Sequence, residues 1–201
     1  AHVSTAGSIE LVRRAKARGA RVTCEVCPHH FTLTDERVRS FDPVFKMNPP
    51  LRTEEDVEAV IGGIVDGTVD AIASDHAPHA AEEKAREFAY APDGVIGLET
   101  VVPLTISHLV RPGLIDLERA VRMLSLNPAR ILGLDGGTLT EGAPADIALL
   151  DLERRWRIDP DDFYSKSRNC PFAGWEVFGR AALTMVGGRV VFRLDDGGVV
   201  G

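Results

Sequence analysis

No apolar run in the sequence approaches the roughly 20 residues that a membrane-spanning helix requires. The longest, such as Ile147 to Leu150 and Ala181 to Val186, are far shorter, which predicts no membrane partner. A basic surplus is also missing. The formal net charge is −7, and Lys and Arg are spread along the chain instead of forming a stripe, which opposes attraction to nucleic acid phosphates. The expected partner is therefore a small-molecule substrate, with no nucleic acid. Cysteine is scarce: an odd set of three, Cys24, Cys27 and Cys170, excludes a secreted disulfide framework and predicts a reducing, cytoplasmic setting. The chain opens Ala1-His2-Val3-Ser4-Thr5, with no initiator Met, no basic n-region and no apolar h-region, so it reads as a truncation and not as a signal peptide. What is present is ample core material, 44% hydrophobic residues, enough for one large domain or one domain with a small appendage.

Hydrophobic periodicity organises that material. Ser8 is placed to cap a helix through Arg18, with Ile9 and Val12 at helical spacing and Gly19 stopping it. Ala20 to Val26 follows as a β-branched strand, ending at Cys27-Pro28-His29-His30. A second helix runs from about Glu54 to Val65, capped by Thr53 with Asp56 three residues on, and closed by Gly67. Val69 to Ser74 is a short strand that ends in Asp75-His76-Ala77-Pro78-His79. Residues 80–95 are charged and Ala-rich and read as a mobile excursion, before helices over 98–110, over 116–126 with Asp116 as cap, and from Asn127 to Leu132.

Helices alternating with short buried strands predict an α/β fold with a parallel sheet, and polar residues after strand ends are what a (β/α)8 TIM barrel uses to build its active face. A whole barrel needs about 250 residues. The expectation is therefore the later half of a (β/α)8 barrel over residues 1–137, followed by a small β-sandwich domain over residues 138–201. Within the latter, Asp146 to Leu150 reads as a strand, and Ala181 to Val186, Gly187-Gly188 and Arg189 to Leu194 as a hairpin.

His2 and His29 at two strand ends and Asp75 at another are ligand types that zinc accepts, and parallel strands would bring their ends together. Any one His taken alone is more often packed or solvated than a ligand. The shared strand-end position is what raises the set above that. Asp75 could also carry a proton between water and a leaving nitrogen, or serve only as a turn carboxylate. His79, beyond a stiffening Pro, could present an imidazole to a substrate carboxylate. His30 and His76 are read as supporting or structural, and His108 as a helix residue without a partner. Lys46-Met47-Asn48-Pro49-Pro50-Leu51-Arg52 is rigid, which would suit presenting the Asn48 amide to a ring carbonyl, or would suit a connection with no ligand. Cys24 and Cys27 have CxxC spacing but lie in an apparent strand, so two packed thiols are expected rather than a redox or metal motif.

These segments resemble the dihydroorotase family of cyclic amidohydrolases. The resemblance runs in order through Ala1-His2-Val3-Ser4-Thr5, Glu25-Val26-Cys27-Pro28-His29-His30-Phe31, Lys46-Met47-Asn48-Pro49-Pro50-Leu51-Arg52 and Asp70-Ala71-Ile72-Ala73-Ser74-Asp75-His76-Ala77-Pro78-His79. It continues through Gly94-Val95-Ile96-Gly97-Leu98-Glu99-Thr100, Asn127-Pro128-Ala129-Arg130, Gly142-Ala143-Pro144-Ala145-Asp146 and Asn169-Cys170-Pro171-Phe172. It implies a cofactor of two Zn2+ ions, with His2 and His29 as ligands of the second and Asp75 as a metal-bound general acid/base. It also implies substrate binding by Asn48, by His79 at the dihydroorotate carboxylate, and by the backbone around Ile96 and Gly97. The family's HxH pair, bridging ligand and substrate-binding Arg would all lie upstream of residue 1, so the chain alone is expected to be inactive. The implied reaction is the reversible closure of N-carbamoyl-L-aspartate to L-dihydroorotate in pyrimidine biosynthesis. Allantoinase or a hydantoinase-type enzyme is the nearest rival; His30 after His29 and Asn48 in Lys-Met-Asn-Pro-Pro favour dihydroorotase. A non-catalytic subunit that scaffolds aspartate transcarbamoylase is a rival of another class. A homodimer and an association with aspartate transcarbamoylase are the macromolecular partnerships left open.

Overall fold

The computed structural model describes residues 1–194 and the backbone of 198–199. It begins with α1 (Ala6–Ala17), three residues earlier than the sequence predicts. Thr5 takes the cap with its hydroxyl on the Ser8 N–H, and the Asp56 carboxylate accepts from the Ala6 N–H at 2.8 Å, so an orphan donor of the first turn finds a partner across the chain. Ser8 lies inside the helix.

The ladder pairing is shorter than the expected strands. β1 (Glu25–Val26) and β2 (Ala71–Ile72) form a parallel pair, Glu25 opposite Ala71 and Val26 opposite Ile72. Residues 20–23 do not join it. They are largely exposed and closed on themselves by a Val22 N–H to Ala20 carbonyl bond, so no neighbour rewards extension there. Ala73 bonds to Val26 at 2.9 Å at the end of this pair, and single backbone bonds add a neighbour on each side: Val3 to Glu25 at 2.9 Å, and Ala77 to Val95 at 2.9 Å beside a parallel His76–Val95 bridge. Four chain segments, near residues 3, 25, 72 and 95, thus run side by side.

α2 (Pro28–Thr32) starts at once after β1, with Pro28 in its first turn where the missing N–H costs nothing. α3 (Glu54–Asp66) begins after Thr53 and ends at Gly67 as expected, with Glu54, Glu55 and Asp56 in the first turn where the helix dipole favours them, but the Thr53 hydroxyl caps no backbone N–H, and the Asp56 carboxylate accepts from Ala6 instead. α4 (Ala81–Lys84) is a single turn within the 80–95 excursion. α5 (Val101–Thr105) runs into a wider π turn at Ile106–Val110. α6 (Leu117–Val121), capped by the Asp116 carboxylate on the Arg119 N–H at 2.7 Å, runs into a second π turn and then into α7 (Asn127–Leu132). None of these helices is long and apolar enough to cross a membrane.

The later residues form one four-stranded antiparallel sheet in the order β3 (Ile147–Arg157), β4 (Glu176–Val186), β5 (Arg189–Arg193), β6 (Gly198–Val199). β3 outruns the expected 146–150 strand because Asp151 accepts the Glu153 and Arg154 N–H groups, making a bulge that the strand survives. Gly187 and Gly188 both take positive φ, the two-residue turn that matches strand twist, as the sequence predicts.

Two apolar clusters hold these parts. One packs Ile9, Val26, Val60, Ile64 and Ile72 with Leu109 and Met123, closing helices over the parallel segments. The other joins Leu33, Met47, Val95, Ile96 and Leu104 to Ile158, Phe172 and Val177, so it draws on both sides of residue 137. Each such side chain contributes roughly 1.5–3 kcal/mol on burial. Polar ties reinforce the second cluster: the Phe178 N–H donates to Ser107 Oγ at 2.8 Å, and the Arg111 guanidinium sits 3.7 Å from the Phe178 ring centre. His108 packs against Trp175 with ring centres 5.6 Å apart, the neighbour that the sequence did not provide.

Candidate metal centre

His2, His29 and Asp75 stand on three adjacent segments, the latter two just beyond the ends of the parallel β1 and β2, and the structure brings their side chains near one another. His2 Nε2 is 3.4 Å from Asp75 Oδ1, and His29 Nε2 is 3.8 Å from Asp75 Oδ2. Spacings of that order leave room for a shared cation between nitrogen and oxygen donors at about 2.0–2.2 Å from each. His2 and Asp75 both adopt positive φ, 50° and 48°, an uncommon backbone for residues with a Cβ, found where surrounding structure fixes a side chain's direction.

His29 provides the fit test for a metal. Its ring is 1% exposed, and its Nε2 is buried with no hydrogen-bond partner. Leaving such an atom unpaired costs about 1–3 kcal/mol unless something else satisfies it. Burial, helped by the neighbouring His30 and His2, holds its pKa well below the usual histidine range, so the ring is neutral and its nitrogen keeps a lone pair. A neutral imidazole with an orphaned nitrogen aimed at a carboxylate suits a divalent metal ion.

His2 is oriented from behind. Its Nδ1 lies 2.9 Å from Glu25 Oε1 and 3.3 Å from Cys27 Sγ, and its backbone N–H donates to the same carboxylate. A carboxylate on Nδ1 fixes the tautomer that leaves Nε2 as the open donor, a common arrangement behind metal-binding histidines. Sequence reasoning gave Glu25 no role. The available signal was that Glu25 and Cys27 are two apart in extended backbone at the end of β1, so their side chains leave on the same side. We predict that Glu25→Ala in the full-length protein weakens metal affinity by about 10–100-fold, with Glu25→Gln falling between. A chelator-competition titration checks this, and unchanged affinity for Glu25→Ala would remove Glu25 from the site.

Two other groups, Cys27 with His29 and His30 and His2 with Glu25 and Cys27, have donor atoms all within 4.8 Å of one another, whereas His2 and His29 are linked through separate oxygens of Asp75. Neither group suits a cation as well. Burial and the nearby Glu25 and Asp75 carboxylates push the Cys27 thiol far above its normal range, keeping it protonated. His30 Nε2 is engaged with the Pro49 carbonyl at 2.9 Å, and burial lowers its pKa to about 4. The CxxC pair is two buried free thiols, Cys24 bonded to the Thr68 carbonyl and Cys27 beside His2. Asp75 is raised above the usual carboxylate range by burial, with His2 opposing and Glu25 adding to the rise.

The remaining candidates flank this centre. Asn48 is exposed, and its bond to Pro49 is cis. His79 Nε2 contacts the Asp93 carbonyl at 2.7 Å. Ile96 is 1% exposed and donates its N–H to the Asn169 carbonyl. Gly97 donates to His76 Nδ1 at 3.1 Å, so His76 props the backbone, as expected for a structural residue. Asn169, quoted in the sequence as part of a motif without a role, donates to the Ala77 and Gly94 carbonyls and locks the ends of two segments together.

The amidohydrolase family profile matches residues 2–191. Dihydroorotases from a Geobacter species and from Syntrophotalea carbinolica are each 53% identical, over 96% and 98% of the chain. The solved L-hydantoinase (dihydropyrimidinase) of Arthrobacter aurescens superposes with a TM-score of 0.89 at 34% identity, over 96% of the chain and 44% of its own. The chain spans about half the length of the curated relatives it matches, 45% and 46% in these two cases. With a profile match across nearly all its residues, the chain belongs to the amidohydrolase family.

Proposed function

We propose that the chain is part of a zinc-dependent dihydroorotase, interconverting L-dihydroorotate and N-carbamoyl-L-aspartate in pyrimidine biosynthesis in the cytoplasm. The observation that carries this reading is the approach of the His2 and His29 imidazoles to the two oxygens of the Asp75 carboxylate, with the buried His29 Nε2 left without a hydrogen-bond partner. In the proposal, residues 1–137 are the later part of a (β/α)8 barrel and residues 138–201 belong to a small β-sandwich; residues 195–197 and 200–201 lie outside the described residues. The rest of the barrel, and further ligands for a second zinc, belong to the complete protein, to which the activity belongs.

His2, His29 and Asp75 would hold a zinc ion, which when bound supplies Lewis-acid polarisation of the ring amide and favours deprotonation of water. The chain's own residues do the rest. As water oxygen bonds to the ring carbonyl carbon and the carbon–nitrogen bond breaks, Asp75 takes the proton from water and passes it to the departing nitrogen. Its place between the two imidazoles lets one carboxylate reach both the water and the departing nitrogen. His79, one ring nitrogen held by the Asp93 carbonyl, turns its other edge to the substrate carboxylate. Asn48 pairs its amide with the ring, and backbone at Ile96 and Gly97 lines the pocket. Substrate choice follows the relatives: dihydroorotases at 53% identity, against 34% for the hydantoinase.

The test is a substrate panel. The complete, zinc-loaded protein should hydrolyse L-dihydroorotate at least about 100-fold faster than hydantoin or allantoin, because a ring without the carboxylate leaves the site's hydrogen-bonding groups unpaired. Preference for hydantoin would transfer the chain to the hydantoinase reading. No turnover of any ring would favour a scaffolding subunit.

A further inference from the structure

The 80–95 excursion is not free-hanging. Lys84, at the end of α4, is only 8% exposed, and its ammonium points inward. Its Nζ donates to the Lys46 carbonyl at 3.1 Å and to the Pro92 carbonyl at 2.8 Å. Burying a cation without an ion pair is expensive, and it persists only where fixed dipoles replace the lost water. Here two backbone carbonyls do so, from segments 46 residues apart in sequence.

Both segments lead to the site. Lys46 is two residues before Asn48, and its carbonyl also accepts the Gly94 N–H at 2.9 Å. Pro92 precedes Asp93, whose carbonyl holds His79 Nε2. A second strap runs the other way: Lys46 Nζ donates to the Ala91 carbonyl at 2.7 Å and to the Ala89 carbonyl at 3.2 Å. The two lysines cross-tie the excursion to the Lys46–Asn48 stretch from opposite directions.

We propose that Lys84 is a positioning residue: its ammonium clamps the Lys46 and Pro92 carbonyls together and so sets the separation of Asn48 and His79 across the mouth of the site. This rests on the reading of those two residues as substrate contacts. Lys84 touches neither the metal donors nor the reacting atoms, so the clamp acts on binding geometry and leaves proton transfer by Asp75 alone. Burial lowers its pKa to about 8, with Asp93 opposing, so the clamp is still charged at neutral pH. Lysine satisfies this geometry because a compact ammonium presents rotatable donors to two carbonyls at once.

The experiment is Lys84→Met in the full-length, metal-loaded protein, read by hydrogen exchange and by steady-state kinetics. Exchange at residues 85–97, including the Gly94 amide, should quicken by about tenfold or more while residues 24–33 and 101–110 are unchanged. KM for L-dihydroorotate should rise about tenfold with kcat within about twofold, and metal content should match wild type. Unchanged exchange at 85–97, or a fall in kcat at constant KM, overturns the clamp. If the variant does not fold, labelling of the wild-type protein with an amine acetylating reagent decides. Lys84 should react at least about tenfold more slowly than the exposed Lys166 and slow further when substrate is bound, and parity with Lys166 overturns the proposal. Should wild type turn over another ring instead of dihydroorotate, the substrate reading fails separately: the exchange arm is unaffected, and the KM arm is run on that ring.

Discussion

Replacing Asp75 with asparagine in the full-length protein should lower kcat by about 10³-fold or more, within reach of what a positioned general acid/base contributes. Asparagine is the informative substitution for a backbone reason. Residue 75 has φ 48°, and Asn tolerates this left-handed conformation better than Ala does, so the fold is not strained by the change. The amide keeps the shape of the carboxylate and its reach toward His2 and His29 but cannot carry a proton. Because burial disfavours the charged carboxylate, the melting temperature should hold or rise slightly. Measuring turnover, melting and bound metal on the same preparation separates the roles. Lost turnover with metal retained assigns Asp75 to proton transfer, and lost turnover with lost metal assigns it first to ligation. Wild-type turnover would remove it from both.

Sequence reading was most effective where one residue's chemistry decides local structure. Gly67 ends α3, Asp116 caps α6, and Gly187-Gly188 turns the β4–β5 hairpin, because each satisfies a requirement set within a few residues. It was weaker where the partner is distant. Thr5 displaced Ser8 as the cap of α1 because Asp56, fifty residues away, receives the Ala6 N–H. β1 was overextended because β-branched composition does not reveal which residues have a neighbour to pair with. At the candidate centre, His2, His29 and Asp75 stood out by residue type and strand-end position. Glu25 and Lys84 did not, since a carboxylate behind an imidazole and an ammonium between two carbonyls are defined only by the third dimension. Asn169 shows the same limit: its side chain joins Ala77 to Gly94, contacts 92 and 75 residues apart.

Gly97→Ala should be strongly damaging, and the reason is space rather than backbone conformation. A Cβ at residue 97 would lie 2.3 Å from the Ser74 carbonyl oxygen and 3.1 Å from its carbon, and both are backbone atoms that cannot rotate away. Ser74 immediately precedes Asp75, and the Gly97 N–H is bonded to His76, so the methyl must push apart the two segments that bracket the proposed proton carrier. Overpacking of this kind costs about 1–3 kcal/mol, and a shift of about 1 Å in a reacting group can cost about 100-fold in rate. The expected result is a melting temperature lowered by several degrees together with kcat/KM down about 100-fold. Gly7→Ala is the matched control: Gly7 is an exposed glycine within α1 with nothing within 4 Å of an added Cβ, so it should hold activity and gain about 0.5–1 kcal/mol from reduced chain entropy. If both variants behave alike, the 74–97 approach is looser than 2.3 Å implies, and Asp75 owes its position to something other than the packing of residue 97 against Ser74.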